Sequence, residues 1–83
     1  MNPRVIQAVC HDDFSMTLTF ANGERRRFDA HPYLDYPVFQ PLRNPGYFQL
    51  GKAAHGTVAW PGEEDFCPDT LYLEGVPLQV QAA

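Results

Sequence analysis

Three observations predict an α+β domain built mainly from antiparallel strands. Residues 14–20, Phe-Ser-Met-Thr-Leu-Thr-Phe, alternate apolar and polar side chains, the period-two signature of a strand with one wet face. Asn22-Gly23 follows at once, and this pair tolerates the positive φ angles of a type I′ turn, so it signals a hairpin. Eight prolines in 83 residues keep any helix short. The expected architecture is a small antiparallel sheet, a three-stranded N-terminal meander plus a second hairpin, with short helices. Its length fits a single domain, residues 1–83.

The elements follow in order. Arg4 to Cys10 is rich in β-branched and apolar residues and makes the first strand, with Asp12-Asp13 turning into the second. Glu24 to Phe28 is the return strand of the Asn-Gly hairpin. Asp29-Ala30-His31-Pro32 breaks it, and Asp29 is placed to cap a short helical turn. Pro37 opens a helix that Pro41 limits to one or two turns, because Pro41 removes a backbone donor. Asn44-Pro45-Gly46 reads as a turn. Tyr47 to Ala53 reads as a fourth strand with Phe48 and Leu50 on one face. His55-Gly56 reverses the chain into a fifth strand, Thr57 to Trp60. Pro68 opens a short helix in "PDTLYLEG", with Asp69 in its first turn, Leu71 inward and Gly75 past its end. The tail, Val76 to Ala83, pairs as an edge strand or frays.

Composition narrows the function classes. The hydrophobic share is 45% and the aromatic share 13%, enough for a packed core. A chain this size buries roughly 60–65% of its unfolded surface. That leaves little room for a deep pocket of about 300 Å³ or more. Cys10 and Cys67 make no disulfide framework and are expected as small buried residues in a reducing compartment. The opening Met-Asn-Pro-Arg-Val-Ile-Gln lacks the pattern of a signal peptide, and the apolar runs are too short to span a membrane. A soluble, cytoplasmic protein is the expectation.

The net charge of −4 disfavours direct nucleic-acid binding. Arg25, Arg26 and Arg27 supply half of the six basic residues. From Ala53 onward there are five acids (Glu63, Glu64, Asp65, Asp69 and Glu74) and no Lys or Arg. Such asymmetry fits a protein partner, or a fold in which the two regions meet.

The segments "FANGERRRFD", "VFQPLRNPGYFQLG" and "TVAWPGEEDFCPDTLY" resemble a small bacterial family, domain of unknown function 2442. The similarity runs from about Val5 to Tyr72. Its most specific part is Trp60 to Tyr72, similar to the family pattern Trp-x-x-Gly-x-Asp-Leu/Ile-x-Pro-x-x-Leu-Tyr. One departure stands out: the glycine is at 62, where the pattern has it at 63. The resemblance implies a small α+β domain similar to the N-terminal domain of a longer bacterial protein that also carries a helix-turn-helix, and no DNA reader is expected within these 83 residues. It also implies company with another small gene, as in toxin–antitoxin-like or regulatory pairs, and no enzymatic activity.

The candidate chemistry is sparse. Glu63, Glu64 and Asp65 offer oxygen to a hard cation, but the alternating acids of an EF-hand are absent, and no metal ligand is assigned. The expectation is that Pro61-Gly62 makes the turn, Glu63 and Glu64 face water, and Asp65 or Asp69 accepts backbone N–H groups ahead of the helix. His11, His31 and His55 lie at strand ends or turns without zinc spacing and read as solvated. Cys67 precedes a helix start, where a thiol pKa falls, but nothing brings a base to it. No catalytic or cofactor residue is assigned. Arg25 and Arg27 share one strand face and Arg26 the other, and cross-strand pairing or solvation is expected. Tyr33, Tyr36, Tyr47 and Phe39 cluster around the middle helices, and aromatics are enriched at interface centres.

The functional expectation is a non-enzymatic protein-binding accessory or regulatory module, as in a toxin–antitoxin-like gene pair. The partner-facing residues would be Glu63, Glu64, Asp65, Asp69, Glu74, Tyr33, Tyr36 and Phe39, and the partner a basic or nucleic-acid-binding protein. The alternative is a small acidic inhibitor of a nucleic-acid enzyme, such as a phage-encoded anti-defence or anti-CRISPR protein acting by DNA mimicry. A flat hairpin edge also leaves room for pairing with a second copy, a homodimer.

Overall fold

The structure, a computed structural model, describes residues 2–78. The chain runs β1 (Val5–Cys10), β2 (Ser15–Phe20), β3 (Arg25–Asp29), two 3₁₀ segments (His31–Tyr33 and Pro37–Arg43), α1 (Pro45–Phe48), β4 (Lys52–Ala54), β5 (Thr57–Ala59), α2 (Pro68–Glu74) and β6 (Val76–Pro77). Four strands form an antiparallel sheet in the order β1-β2-β3-β6, and β4-β5 form a separate hairpin. This is the α+β class with the N-terminal meander and second hairpin that the patterning predicts. Val76–Pro77 pairs at the sheet edge beside β3; residues 79–83 of the tail lie outside the described residues.

Alternation decides which face of the sheet is wet. Met16, Leu18 and Phe20 of β2 point inward with Phe28 of β3 and are fully buried. The helices, Phe48, Val58 and Phe66 close over them as one core. Phe39 and Phe66 stack with ring centroids 4.5 Å apart. On the other face Thr17 pairs with Arg27 and Thr19 with Arg25. Arg27 reaches Asp13 at 2.6 Å, and His11 shares a 2.7 Å hydrogen bond with Thr17. Arg25 and Arg27 thus share the outer face and Arg26 takes the inner one, as period two requires.

Three loops have one geometry that the sequence patterns do not reveal. His11 N–H bonds to Ser15 O, Phe20 N–H to Glu24 O and Trp60 N–H to Glu64 O, each closing a three-residue loop. In each the third loop residue has positive φ: Phe14 at 63°, Gly23 at 90° and Glu63 at 73°. That is the loop in which a type I turn is followed by a left-handed residue. The Asn22-Gly23 hairpin is therefore not a two-residue type I′ turn. The Asn22 carboxamide accepts the Glu24 N–H at 2.9 Å, and only Gly23 takes positive φ. The two-residue form occurs at His55-Gly56, where both residues have positive φ.

The middle of the chain departs from the expected strand. Asn44 is not a turn residue but an N-cap: its side chain accepts from Gly46 N–H at 2.9 Å and Tyr47 N–H at 3.4 Å. The cap, with Pro45 at the first helical position, converts 45–48 into α1, and only 52–54 remain strand. Phe48 and Leu50 consequently part company: Phe48 is buried and Leu50 is exposed. Asp29 accepts the His31 N–H at 3.0 Å, but the cap position itself is Ala30, with no side-chain bond. Pro37–Arg43 is 3₁₀ rather than α, with Pro41 inside it. Cys67 is exposed, contrary to the expectation of burial, while Cys10 is half-buried. No helix among the described residues is long and apolar enough to cross a membrane.

Candidate functional site

The two charge-asymmetric ends of the chain meet through Arg26. Its guanidinium lies 3.9 Å from the Tyr72 ring centroid and donates to Tyr72 O at 2.8 Å, Gly75 O at 3.2 Å and the Glu24 carboxylate at 2.9 Å. The Tyr72 hydroxyl donates to the same carboxylate. Tyr72 first, then Asn22 and Arg26, hold the Glu24 carboxyl down at about 2. This network ties the first hairpin to α2. It does not pair the arginines with the C-terminal acids, and among the described residues Arg26 and Arg27 find Glu24 and Asp13 instead.

The acids of 63–74 are dispersed by the fold. Glu64 does not face water: it is buried, and its carboxylate accepts from the Tyr47 hydroxyl at 2.7 Å. That hydroxyl in turn accepts the Gly62 N–H at 2.8 Å. The Glu64 bond, with burial, raises the Tyr47 hydroxyl above its ordinary range. Neither Asp65 nor Asp69 caps α2. Asp69 accepts from Asn2 at 3.2 Å, and Asp65 bridges Ala59 through its backbone. At the α2 start the Cys67 thiol is lowered instead, by the Thr70 and Asp69 backbone N–H groups. Glu74, at the far end of α2, accepts a hydrogen bond from Tyr33. Burial first, then this carboxylate, raises Tyr33 to about 12.

The aromatic cluster is also divided. Phe39 is buried and stacked on Phe66, so it belongs to the core and not to a partner face. Tyr47 is committed to Glu64. Tyr33 and Tyr36 pack edge to face at 5.8 Å, and Tyr36 is 53% exposed. Tyr33, Glu74, Val76 and Leu78 line one groove of about 430 Å³. Leu73 and Val76 are among the most exposed apolar side chains, at 67% and 65%. Of the predicted residues, Tyr33, Tyr36 and Glu74 therefore come together. Leu73 and Val76 were missed, though a signal existed for Leu73: two positions from buried Leu71 is about 200° around a helix.

A second, open trough of about 630 Å³ lies over the β4–β5 hairpin. Leu50, Ala54, Ala59, Pro61 and Trp60 form its apolar part, His55 adds an imidazole, and Lys52, Glu63 and Asp65 are its charged walls. The trough is an open surface depression and not the deep pocket that composition disfavours; the hairpin beneath it is held to β1, where Val5 N–H donates to Gly56 O at 2.9 Å. Trp60 is seated by its Nε1–H, which donates to Phe48 O at 2.8 Å, and by close approach to Gly51, where a Cβ would fall 2.6 Å from the ring. Among the described residues no group of three or more His, Cys, Asp or Glu side chains is placed to hold a metal.

The profile of one family, described as "Protein of unknown function (DUF2442)", matches residues 5–77. The chain belongs to the DUF2442 family. No curated protein and no solved structure matches it. The family description carries no activity, so a functional reading of this DUF2442 chain has to stand on its surface. The positive φ at Glu63 explains the glycine of the family pattern and makes this chain's departure from it a strained one. Position 63 is the left-handed residue of the loop, the place where a glycine is least costly.

Proposed function

We propose that the protein is a non-enzymatic binding module that docks a partner protein through the Tyr33–Glu74 surface. The observation that carries this reading is the Tyr33–Glu74 hydrogen bond, which fuses the aromatic middle and the acidic end of α2 into one face. Tyr36 packs on Tyr33, Val76 lines the same groove, and Leu73 is the neighbour of Glu74 along α2; all three keep most of their surface exposed. Apolar anchors grouped around a carboxylate suit a partner with apolar residues and a basic rim. A toxin–antitoxin-like or regulatory pairing is the context we favour.

The test is affinity capture from host lysate, with nuclease, of wild-type protein and of the variant Tyr36→Ser, Leu73→Ser, Val76→Thr. A stoichiometric partner held by the wild type and lost by an equally folded variant supports the reading. A partner held by both, or none at all, defeats it. The alternative of an inhibitor acting by DNA mimicry draws less support. Glu64 is turned inward, and Glu63 and Asp65 line a different groove from Glu74. Under that alternative the captured partner would be a nucleic-acid enzyme, released by charge reversal of the exposed acids.

A further inference from the structure

We propose that the trough over the β4–β5 hairpin is a second docking site, for an extended peptide segment in which a Lys or Arg lies between apolar side chains. It shares no lining residue with the Tyr33–Glu74 groove, so neither reading depends on the other.

Strand register sets the shape. Lys52 pairs with Ala59, and Ala59 bridges Asp65, so the three residues form a row across the hairpin and the following segment. Paired residues of antiparallel strands share a face. Lys52 and Asp65 are thus walls on either side of a small Ala59, about 10 Å apart at two strand spacings. No ion pair joins them among the described residues, and the backbone separation is wide enough for one extended chain. Leu50, Ala54 and Pro61 add apolar surface along the row.

Charge sets the occupant. Glu63 and Asp65 make no side-chain hydrogen bond or ion pair among the described residues, and both line the trough. Lys52 is the single Lys or Arg lining it, so its fixed charge is net negative. A basic side chain on the ligand completes the balance, and an acidic one does not. A bare cation is a poorer fit: two separated carboxylates leave most of a six- to eight-oxygen shell unfilled, and the apolar floor unused.

The test uses the full chain. Random eight-residue peptides displayed on phage are panned against it, with Glu63→Lys/Asp65→Lys as the counter-target. Circular dichroism checks that the variant is folded. Recovered sequences are expected to carry Lys or Arg between apolar residues. Their synthetic versions should shift the emission of Trp60, the chain's single tryptophan. They should bind the double variant about tenfold more weakly, with the gap narrowing at high salt. Glu63→Gln/Asp65→Asn should also weaken binding, and Tyr36→Ser should leave it unchanged. Recovered peptides without basic enrichment, equal binding to the charge-reversed variant, loss on Tyr36→Ser, or no peptide that moves Trp60 emission would each overturn the proposal.

Discussion

Replacing Glu63 by glycine is expected to stabilise the protein, although it removes a native side chain. Glu63 closes the Trp60–Glu64 loop at φ 73° and lends its side chain to no internal hydrogen bond among the described residues. A non-glycine residue in the left-handed region costs roughly 1–2 kcal/mol. Glycine there loses about 0.5–1 kcal/mol of unfolded-state entropy. The net gain lies within about 0–1.5 kcal/mol and centres on about 0.75, or about 3–6 °C in Tm for a domain of this size. The two sister loops are the controls. At Gly23 a Cβ would meet nothing within 4 Å, so Gly23→Ala runs the same balance in reverse with no clash and should cost about 0.5–1 kcal/mol. Phe14 has the same backbone conformation, but its ring packs edge to face on Phe48 at 5.3 Å and on His31 at 5.4 Å. Phe14→Gly should therefore lose about 2 kcal/mol net despite the relieved strain. Urea unfolding at pH 7 reads all three, with unchanged m-values as the condition of comparison. If Glu63→Gly lowers the midpoint at constant m, or shifts it in the same direction as Phe14→Gly, the shared-loop argument fails. A stabilised Glu63→Gly that also loses peptide binding would show why glutamate is useful at a strained position.

Two further outcomes follow from the carboxylates. Tyr47→Phe removes the hydroxyl that serves both Glu64 and the Gly62 N–H, and should cost about 1–3 kcal/mol, while Glu63→Gln on the same turn stays within about 0.5 kcal/mol; chemical denaturation separates them, and equal effects would refute the inward assignment of Glu64. Glu24 is depressed from 4.5 to about 2 in the fold, so its stabilisation is complete above about pH 4.5 and is lost as pH falls toward 2. The Tm difference between wild type and Glu24→Gln should hold steady at neutral pH and close within that window, and a gap that persists at pH 2 would contradict the Tyr72–Arg26–Glu24 network.

What the sequence determined by itself was whatever a local period or a local start signal can carry. The alternation from Met16 to Phe20 set the strand, its face and the class of the fold, because a period of two cannot be satisfied on a helix. Pro68, Asp69 and Gly75 bounded α2 closely, because helix ends are marked by residues within one turn. The family pattern was legible too, since it is a string of residues. Tertiary structure decided the rest. Asn44-Pro45-Gly46 suits a turn or a capped helix equally well, and only the burial of Phe48 beneath the sheet selects the helix. Three adjacent acids look alike on paper, yet one is folded inward onto Tyr47 and two line a trough, because the loop's left-handed residue rotates their directions apart. Tyr33 meeting Glu74 joins segments 41 residues apart. No periodicity encodes a contact of that range; it exists only once α2 and the first 3₁₀ segment have packed beside the same strand.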